Sequence, residues 1–205
     1  MTPNLTAYQA REIMGENFFG VADAIEHLHI RPSVHPLNLA SSVPFTADIL
    51  ESRKNTHLLI AKFSLPIVEL YEIAGRMKFF RPHGTLDCER ELFARRCIER
   101  ARWCLIRKSP IPDSLMKSWE EQQQLGCPDE QVPSAQTLAY AAIARVLQTG
   151  EHLFEGVYLR STDTHSSGQR VIVGRFNFDG LDIFQFYEDK PRENIGLVTE
   201  HISEM

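Results

Sequence analysis

The stretch Val157–Val198, VYLRSTDTHSSGQRVIVGRFNFDGLDIFQFYEDKPRENIGLV, limits the fold more than any other part of the chain. Val157–Arg160 and Arg170–Val173 are short β-branched and aromatic runs on either side of a polar turn at Ser166-Ser167-Gly168, the pattern of a strand pair. Asp179-Gly180 is a second turn signal and opens a third run, Leu181 to Tyr187. Side chains alternate along a strand, so Leu181, Ile183 and Gln185 share one face, and Asp182, Phe184 and Phe186 share the other. Two large aromatics beside an acid make that second face a displayed surface as well as a packed one. No catalytic signature falls here. The stretch reads as a β-rich display module, with the upstream chain as its platform.

The upstream signals are mainly helical. Thr6 and Gln9 have capping-box spacing and open a helix that Gly15 ends. Asn17–Gly20 reads as a tight apolar corner, and Val21–Leu28 as a helix burying Val21, Ala24, Ile25 and Leu28. Arg31–Pro44 is expected as an ordered loop, and Thr46 as the cap of a helical turn through Leu50. His57–Phe63 (HLLIAKF) is the best strand of this half. Ser64 and Pro66 open a helix with Ile67, Leu70, Tyr71 and Ala74 on one face. Thr85 is expected to cap a helix reaching about Arg102, lined by Leu92, Phe93, Arg96 and Cys97; Trp103–Ile106 is a strand leaving it.

Asp113 or Ser114 is expected to open a helix over LMKSWEEQQQL that Gly126 ends, and Pro133-Ser134 another that stops at Thr149-Gly150. Helix-rich first and β-rich last argues for an α+β fold rather than a doubly wound sheet. The expected division is residues 1–102, helix-rich with one strand near 57–63, and 103–205, the display module, with one continuous domain as the alternative.

At 205 residues, 43% hydrophobic and 24% charged, the chain can bury a core of ordinary size. A net charge of −5 gives no global pull toward nucleic acid or anionic membrane, so neither is an expected partner. No apolar run approaches the roughly 20 residues of a membrane span, and the N-terminus lacks a signal-peptide layout, so a soluble, cytoplasmic protein is expected. The four cysteines, Cys88, Cys97, Cys104 and Cys127, form no C-x-x-C pair and read as reduced structural thiols.

The candidate chemistry is thin. His27-x-His29 offers two imidazoles, but they diverge on a helix and no third ligand follows. Asp163-Thr164-His165 lies beside Ser161, Ser166 and Ser167, yet sequence neighbours in a serine-rich loop rarely make a hydrolytic triad. Arg95, Arg96, Arg100, Arg102, Arg107 and Lys108, with Arg76, Lys78 and Arg81, could hold phosphates. The interleaved Glu89, Glu91 and Glu99 make a salt-bridged helix face the plainer reading. Glu188, Asp189 and Glu193 offer carboxylates with nothing to pair them as acid and base. No nucleotide-loop or zinc-protease motif is present, and no metal, cofactor or catalytic residue is expected.

From Met14 onward the chain resembles a family of uncharacterised bacterial proteins from metagenomic and candidate-phylum genomes. The resemblance is carried by Met14–Gly20 (MGENFFG), Leu105–Pro110 (LIRKSP), Trp119–Gln123 (WEEQQ), Thr149–Glu155 (TGEHLFE), Val171–Gly174 (VIVG) and Ile195–Leu197 (IGL). That family resembles in turn the variable target proteins of diversity-generating retroelements, whose C-terminal module is C-type-lectin-like. The resemblance implies that Phe176, Gly180, Leu181, Ile183 and Gly196 are scaffold. It implies a ligand-facing set of Arg175, Asp179, Asp182, Phe184, Gln185 and Phe186, continued by Asp189, Lys190, Arg192 and Asn194. Strand parity agrees for Asp182, Phe184 and Phe186, whereas Gln185 would need a bulge after Phe184 to join them. The chain departs from the family pattern at Pro191 and in its ending, Val198-Thr199-Glu200-His201.

The expected function is therefore non-enzymatic ligand binding, with a protein or other macromolecule held on the Arg175–Asn194 surface. Two alternatives stand beside it: an enzyme taking an anionic or phosphate-containing substrate at an arginine-rich pocket, and a structural subunit that forms homo-oligomers.

Overall fold

The computed structural model describes residues 5–30, 39, 42–75, 89–96, 100–186 and 190–201. The N-terminal part contributes helices α1 (Ala7–Met14), α2 (Val21–Leu28), α3 (Ala47–Arg53), α4 (Ile67–Gly75) and α5 (Leu92–Arg95), with strands β1 (Phe18–Phe19) and β2 (His57–Lys62). Strand β3 (Arg102–Arg107), helix α6 (Trp119–Gln123), strand β4 (Glu130–Gln131) and helix α7 (Ala135–Thr149) follow. The chain ends in β5 (Tyr158–Thr164), β6 (Arg170–Asn177), β7 (Gly180–Phe186), β8 (Ile195–Gly196) and β9 (Glu200–His201). The fold is mixed α+β with two sheets, ordered β1-β2-β3-β9-β4 and β7-β6-β5-β8.

Helix α7 organises them. Ser134 caps it by accepting the Thr137 N–H, and Gly150, left-handed at φ 76°, closes its last turn onto the Val146 carbonyl. Every residue from Ala135 to Val146 is buried, a run in which five alanines keep the helix thin. A helix buried all round must lie between two layers. It packs on β2 on one side and on β5 and β6 on the other. Its polar side chains are tied to those layers: Tyr140 donates to the Ala61 carbonyl at 3.0 Å, and Gln136 to the Leu65 carbonyl. The far face of the first sheet is covered by N-terminal residues. There the Trp103 ring lies 5.4 Å from Phe18 and its indole N–H donates to the Leu39 carbonyl.

One core runs from Ala10 to Val198. The boundary expected at 102/103 falls inside β3, which pairs with β2 along six residues and then with β9 near the end of the chain. The two expected regions thus share a sheet and a core.

Local signals placed α1, with its Thr6–Gln9 capping box, as well as α2, β2, α7 and the β5–β7 meander. Three elements differ. Phe18-Phe19 is a strand paired parallel to Leu59-Ile60 rather than a corner. Among the described residues of the helix expected from Thr85 to about Arg102, only Leu92–Arg95 is helical; Arg96 is extended, and Leu92 is exposed rather than lining. Pairing of Arg102–Arg107 with β2 overrides whatever helical support the charge pairs gave. The helix expected from Asp113 or Ser114 starts only at Trp119, because Asp113 and Met116 take left-handed backbones at φ 64° and 57°. Most of the Arg31–Pro44 loop, the Arg76–Pro82 segment, Thr85, Cys88 and Cys97 lie outside the described residues.

At one end of the first sheet sits a buried polar cluster. Arg53 donates to Glu130 at 2.5 Å and to His57 Nε2 at 3.3 Å, while His57 Nδ1 meets Thr56 Oγ1 at 2.8 Å. A guanidinium at Nε2 requires an unprotonated acceptor there, so the imidazole is neutral. Burial, then Arg53 and Arg107, lowers its pKa from 6.5 to about 4. The unfolded chain binds this proton more readily than the folded one between those limits, so folded stability is lost as pH falls from 6.5 toward about 4. Urea melts should show a loss on the order of 2 kcal/mol across that window, and His57→Gln should flatten it. A flat wild-type profile would mean that the imidazole is not held neutral.

Candidate functional site

The second sheet has two unlike faces. Leu159, Val171, Val173, Leu181 and Ile183 belong to the main core. The opposite face carries a separate small cluster, Tyr158, Ile172 and Ile195, with Phe184 and Phe186 half-buried against it.

Strand register sets out this outer face in rows. The first is Ile195–Tyr158–Gly174–Asp182, the second Arg160–Ile172–Phe184, and the third Arg170–Phe186. Gly174 has no side chain between Tyr158 and Asp182, so the phenol reaches across β6 and donates to Asp182 Oδ2 at 3.0 Å. Burial, then the Asp182 carboxylate, raises the Tyr158 pKa, which keeps it the donor. Phe184 packs edge-on to Tyr158 with centroids 5.1 Å apart.

Arginines are set over the aromatic rings. Arg170 lies 3.8 Å from the Trp119 ring centroid, Arg175 5.8 Å from that of Tyr158, and Arg192 5.8 Å from that of Phe186. Arg175 gets there through the irregularity between Gly174 and Asn177, with a left-handed backbone at φ 45°. Its own pKa is raised, first by the hydrogen bond with Tyr158. Arg160 is on this face but fully buried, covered where it donates to the Lys117 carbonyl, Gln122 Oε1 and the Lys190 carbonyl.

The expected ligand-facing residues divide by this geometry. Phe184 and Phe186 lie on the outer face half-buried, and Arg175, Asp179, Lys190, Arg192 and Asn194 are exposed around it. Asp182 points to the same side but is only 5% exposed, spent on Tyr158. Gln185 faces the other way: it pairs with Val171, and the register from Asp182 to Phe186 has no bulge to turn it outward. Asp189 lies outside the described residues. Phe176, Gly180, Leu181, Ile183 and Gly196 are all buried.

Residues the sequence reading missed include Tyr158, Trp119 and Arg170, which come together only through tertiary packing. Phe178 is another, 95% exposed at the β6–β7 turn. A large aromatic inside Asn-Phe-Asp-Gly was a readable signal for it, since turns rarely spend such a side chain.

The other candidates separate. His29 ends α2 with a left-handed backbone while the His27 ring stacks on Phe19, and no cluster of metal-ligating residues occurs among the described residues. Asp163 accepts the Ala135 N–H at the start of α7. Arg96 and Arg100 are exposed, Arg102 pairs with Glu200, and Arg107 sits at the far end of β3 on the opposite face from Arg102. Glu91 holds the β5–β6 turn rather than an arginine. Cys104 is buried and Cys127 exposed, and neither is in a disulfide. No helix among the described residues is long and apolar enough to cross a membrane. No protein-family model matches this chain, and neither a curated protein nor a solved structure matches it.

Proposed function

We propose that the chain is a ligand-binding protein whose binding surface is the outer face of the β7-β6-β5-β8 sheet. The observation that carries this is the second apolar cluster, set apart from the main core and left half-open at Phe184 and Phe186. Aromatics supply contact area at small entropic cost, and arginine and aromatic side chains are those most enriched at interface hot spots. The exposed rim of Arg175, Asp179, Lys190, Arg192 and Asn194 supplies adaptable polar contacts. The proposed ligand is a protein or other macromolecule, the class of partner whose hot spots are built from aromatic and arginine side chains.

The proposal includes a C-type-lectin-like use of this sheet, in which the Arg175–Asn194 stretch is the varied part. Sequencing the surrounding locus tests that origin. A template copy of codons 175–194 differing at adenines supports it, and its absence removes the retroelement part while leaving the binding face.

Phe186→Ala tests the face itself. It should lower affinity by about 2 kcal/mol, as hot-spot aromatics do, with less than about 1 kcal/mol lost from stability. The check is capture of ligand from a bacterial lysate on immobilised protein, beside a urea melt and a Tyr8→Ala control on exposed α1. Equal capture by all three proteins, or unfolding of Phe186→Ala, defeats the proposal. If sedimentation shows a wild-type dimer that Phe186→Ala dissolves, the ligand is a second copy of the chain.

A further inference from the structure

The β5–β6 turn holds a constellation separate from the display face. His165 Nδ1 lies 2.7 Å from Ser167 Oγ, and His165 Nε2 lies 3.1 Å from Glu91 Oε1. Glu91 comes from the segment before α5, far away in sequence. Its carboxylate is held in place by the Ser166 N–H at 2.9 Å and the Ser166 hydroxyl at 2.8 Å, hydrogen bonds that keep its pKa below the usual carboxylate value. The turn is itself closed by two backbone bonds, His165 N–H to the Gln169 carbonyl and Gly168 N–H to the His165 carbonyl, each 2.8 Å.

These contacts set the tautomer. The Ser167 N–H donates to His165 Nδ1 at 3.1 Å, so Nδ1 is the bare nitrogen and Nε2 carries the proton toward Glu91. That leaves Nδ1 able to take the Ser167 hydroxyl proton, and Glu91 able to stabilise the resulting imidazolium. The logic is that of a serine–histidine–carboxylate triad with the two ring nitrogens exchanged. The hydroxyl has a second acceptor in Gln169 Oε1 at 3.1 Å, and His165 Nδ1 at 2.7 Å is the nearer of the two.

We propose that Ser167 is an activated nucleophile that accepts acyl groups from unhindered esters. As the Oγ–acyl carbon bond forms, the hydroxyl proton moves to His165 Nδ1. The bond to the leaving alkoxide then breaks, and the alkoxide takes that proton. Water, deprotonated at the same nitrogen, releases the carboxylic acid and restores the serine. Ser167 is exposed, so the ester is selected by access rather than by an enclosing pocket.

The test is acetylation by p-nitrophenyl acetate, with the modified serine located by peptide mass spectrometry. Ser167 should acylate faster than exposed Ser52, and His165→Ala should slow it about 100-fold, the usual contribution of a general base. Glu91→Gln keeps an acceptor for Ser166 but loses the charge facing the imidazolium, and should slow acylation on the order of tenfold or more at unchanged Tm. Ser167 reacting no faster than Ser52, or reacting equally in His165→Ala, overturns the proposal. The display face is untouched by these variants, so failure here leaves the binding proposal standing.

Discussion

Gly174→Ala is expected to cost about 3 kcal/mol or more of folding stability, well above the usual effect of one methyl group. A Cβ at this position would overlap the Val157 carbonyl oxygen and come within 2.8 Å of the Tyr158 Cα. Neither neighbour can retreat cheaply. The Val157 carbonyl accepts the Arg175 N–H at 2.9 Å, and Tyr158 is fixed by pairing to Gly174 on one side and Ile195 on the other. The added methyl therefore forces β5 and β6 apart where the strand turns Arg175 out of the sheet. The displaced strand carries Tyr158, so its bond to Asp182 and the geometry of the outer face should be lost along with stability. Gly126→Ala is the control, because its Cβ would meet only the Thr199 methyl at an ordinary 3.8 Å. Urea melts of the two variants check this. A loss under about 1 kcal/mol for Gly174→Ala would mean that the strands are not held this closely.

Legibility of the fold followed the range of the interaction. Helix α7 could be read because both its ends are written locally, in Ser134 and Gly150. Its burial on every side was not legible, since that depends on strands before and after it in the chain. Alternation along β7 sorted its side chains correctly by face, including Gln185, which the family resemblance placed with the ligand and strand register places with Leu181 and Ile183. The two-sheet plan was hidden. The penultimate strands join one sheet, while Glu200-His201 return to the other beside β3, and no local pattern marks such a crossing. The same holds for Glu91 and His165. The sequence shows the histidine beside its serines and an aspartate, but the carboxylate it meets is brought in by tertiary packing, while the neighbouring Asp163 is consumed at the start of α7.

Arg160→Met is expected to cost about 3 kcal/mol and to loosen the frame around the binding face selectively. Arg160 is on the outer face of β5 with no exposed surface. Its guanidinium donates to the Lys117 carbonyl at 3.0 Å, to Gln122 Oε1 at 2.7 Å and to the Lys190 carbonyl at 3.2 Å. Gln122 passes the connection on, donating to the Ser114 carbonyl at 2.6 Å and the Ile195 carbonyl at 3.1 Å. One planar fork thus ties the segment before and within α6, and the chain leading into β8, to the sheet beneath them. A lysine could not reach three acceptors in this way. Methionine keeps much of the length and apolar bulk but leaves three acceptors without their donor, each costing about 1 kcal/mol or more when buried. The loss should be local. Amide exchange should rise over 113–125 and 190–197 while β2 and β3, paired along their whole length, stay protected. Unchanged exchange in those two segments, at a stability loss below about 1 kcal/mol, would show that apolar packing under Trp119 and Leu197 holds the frame without the guanidinium. A uniform rise across both sheets would instead make Arg160 a general core residue. Only the selective outcome makes the buried arginine the link between the fold and the shape of its displayed face.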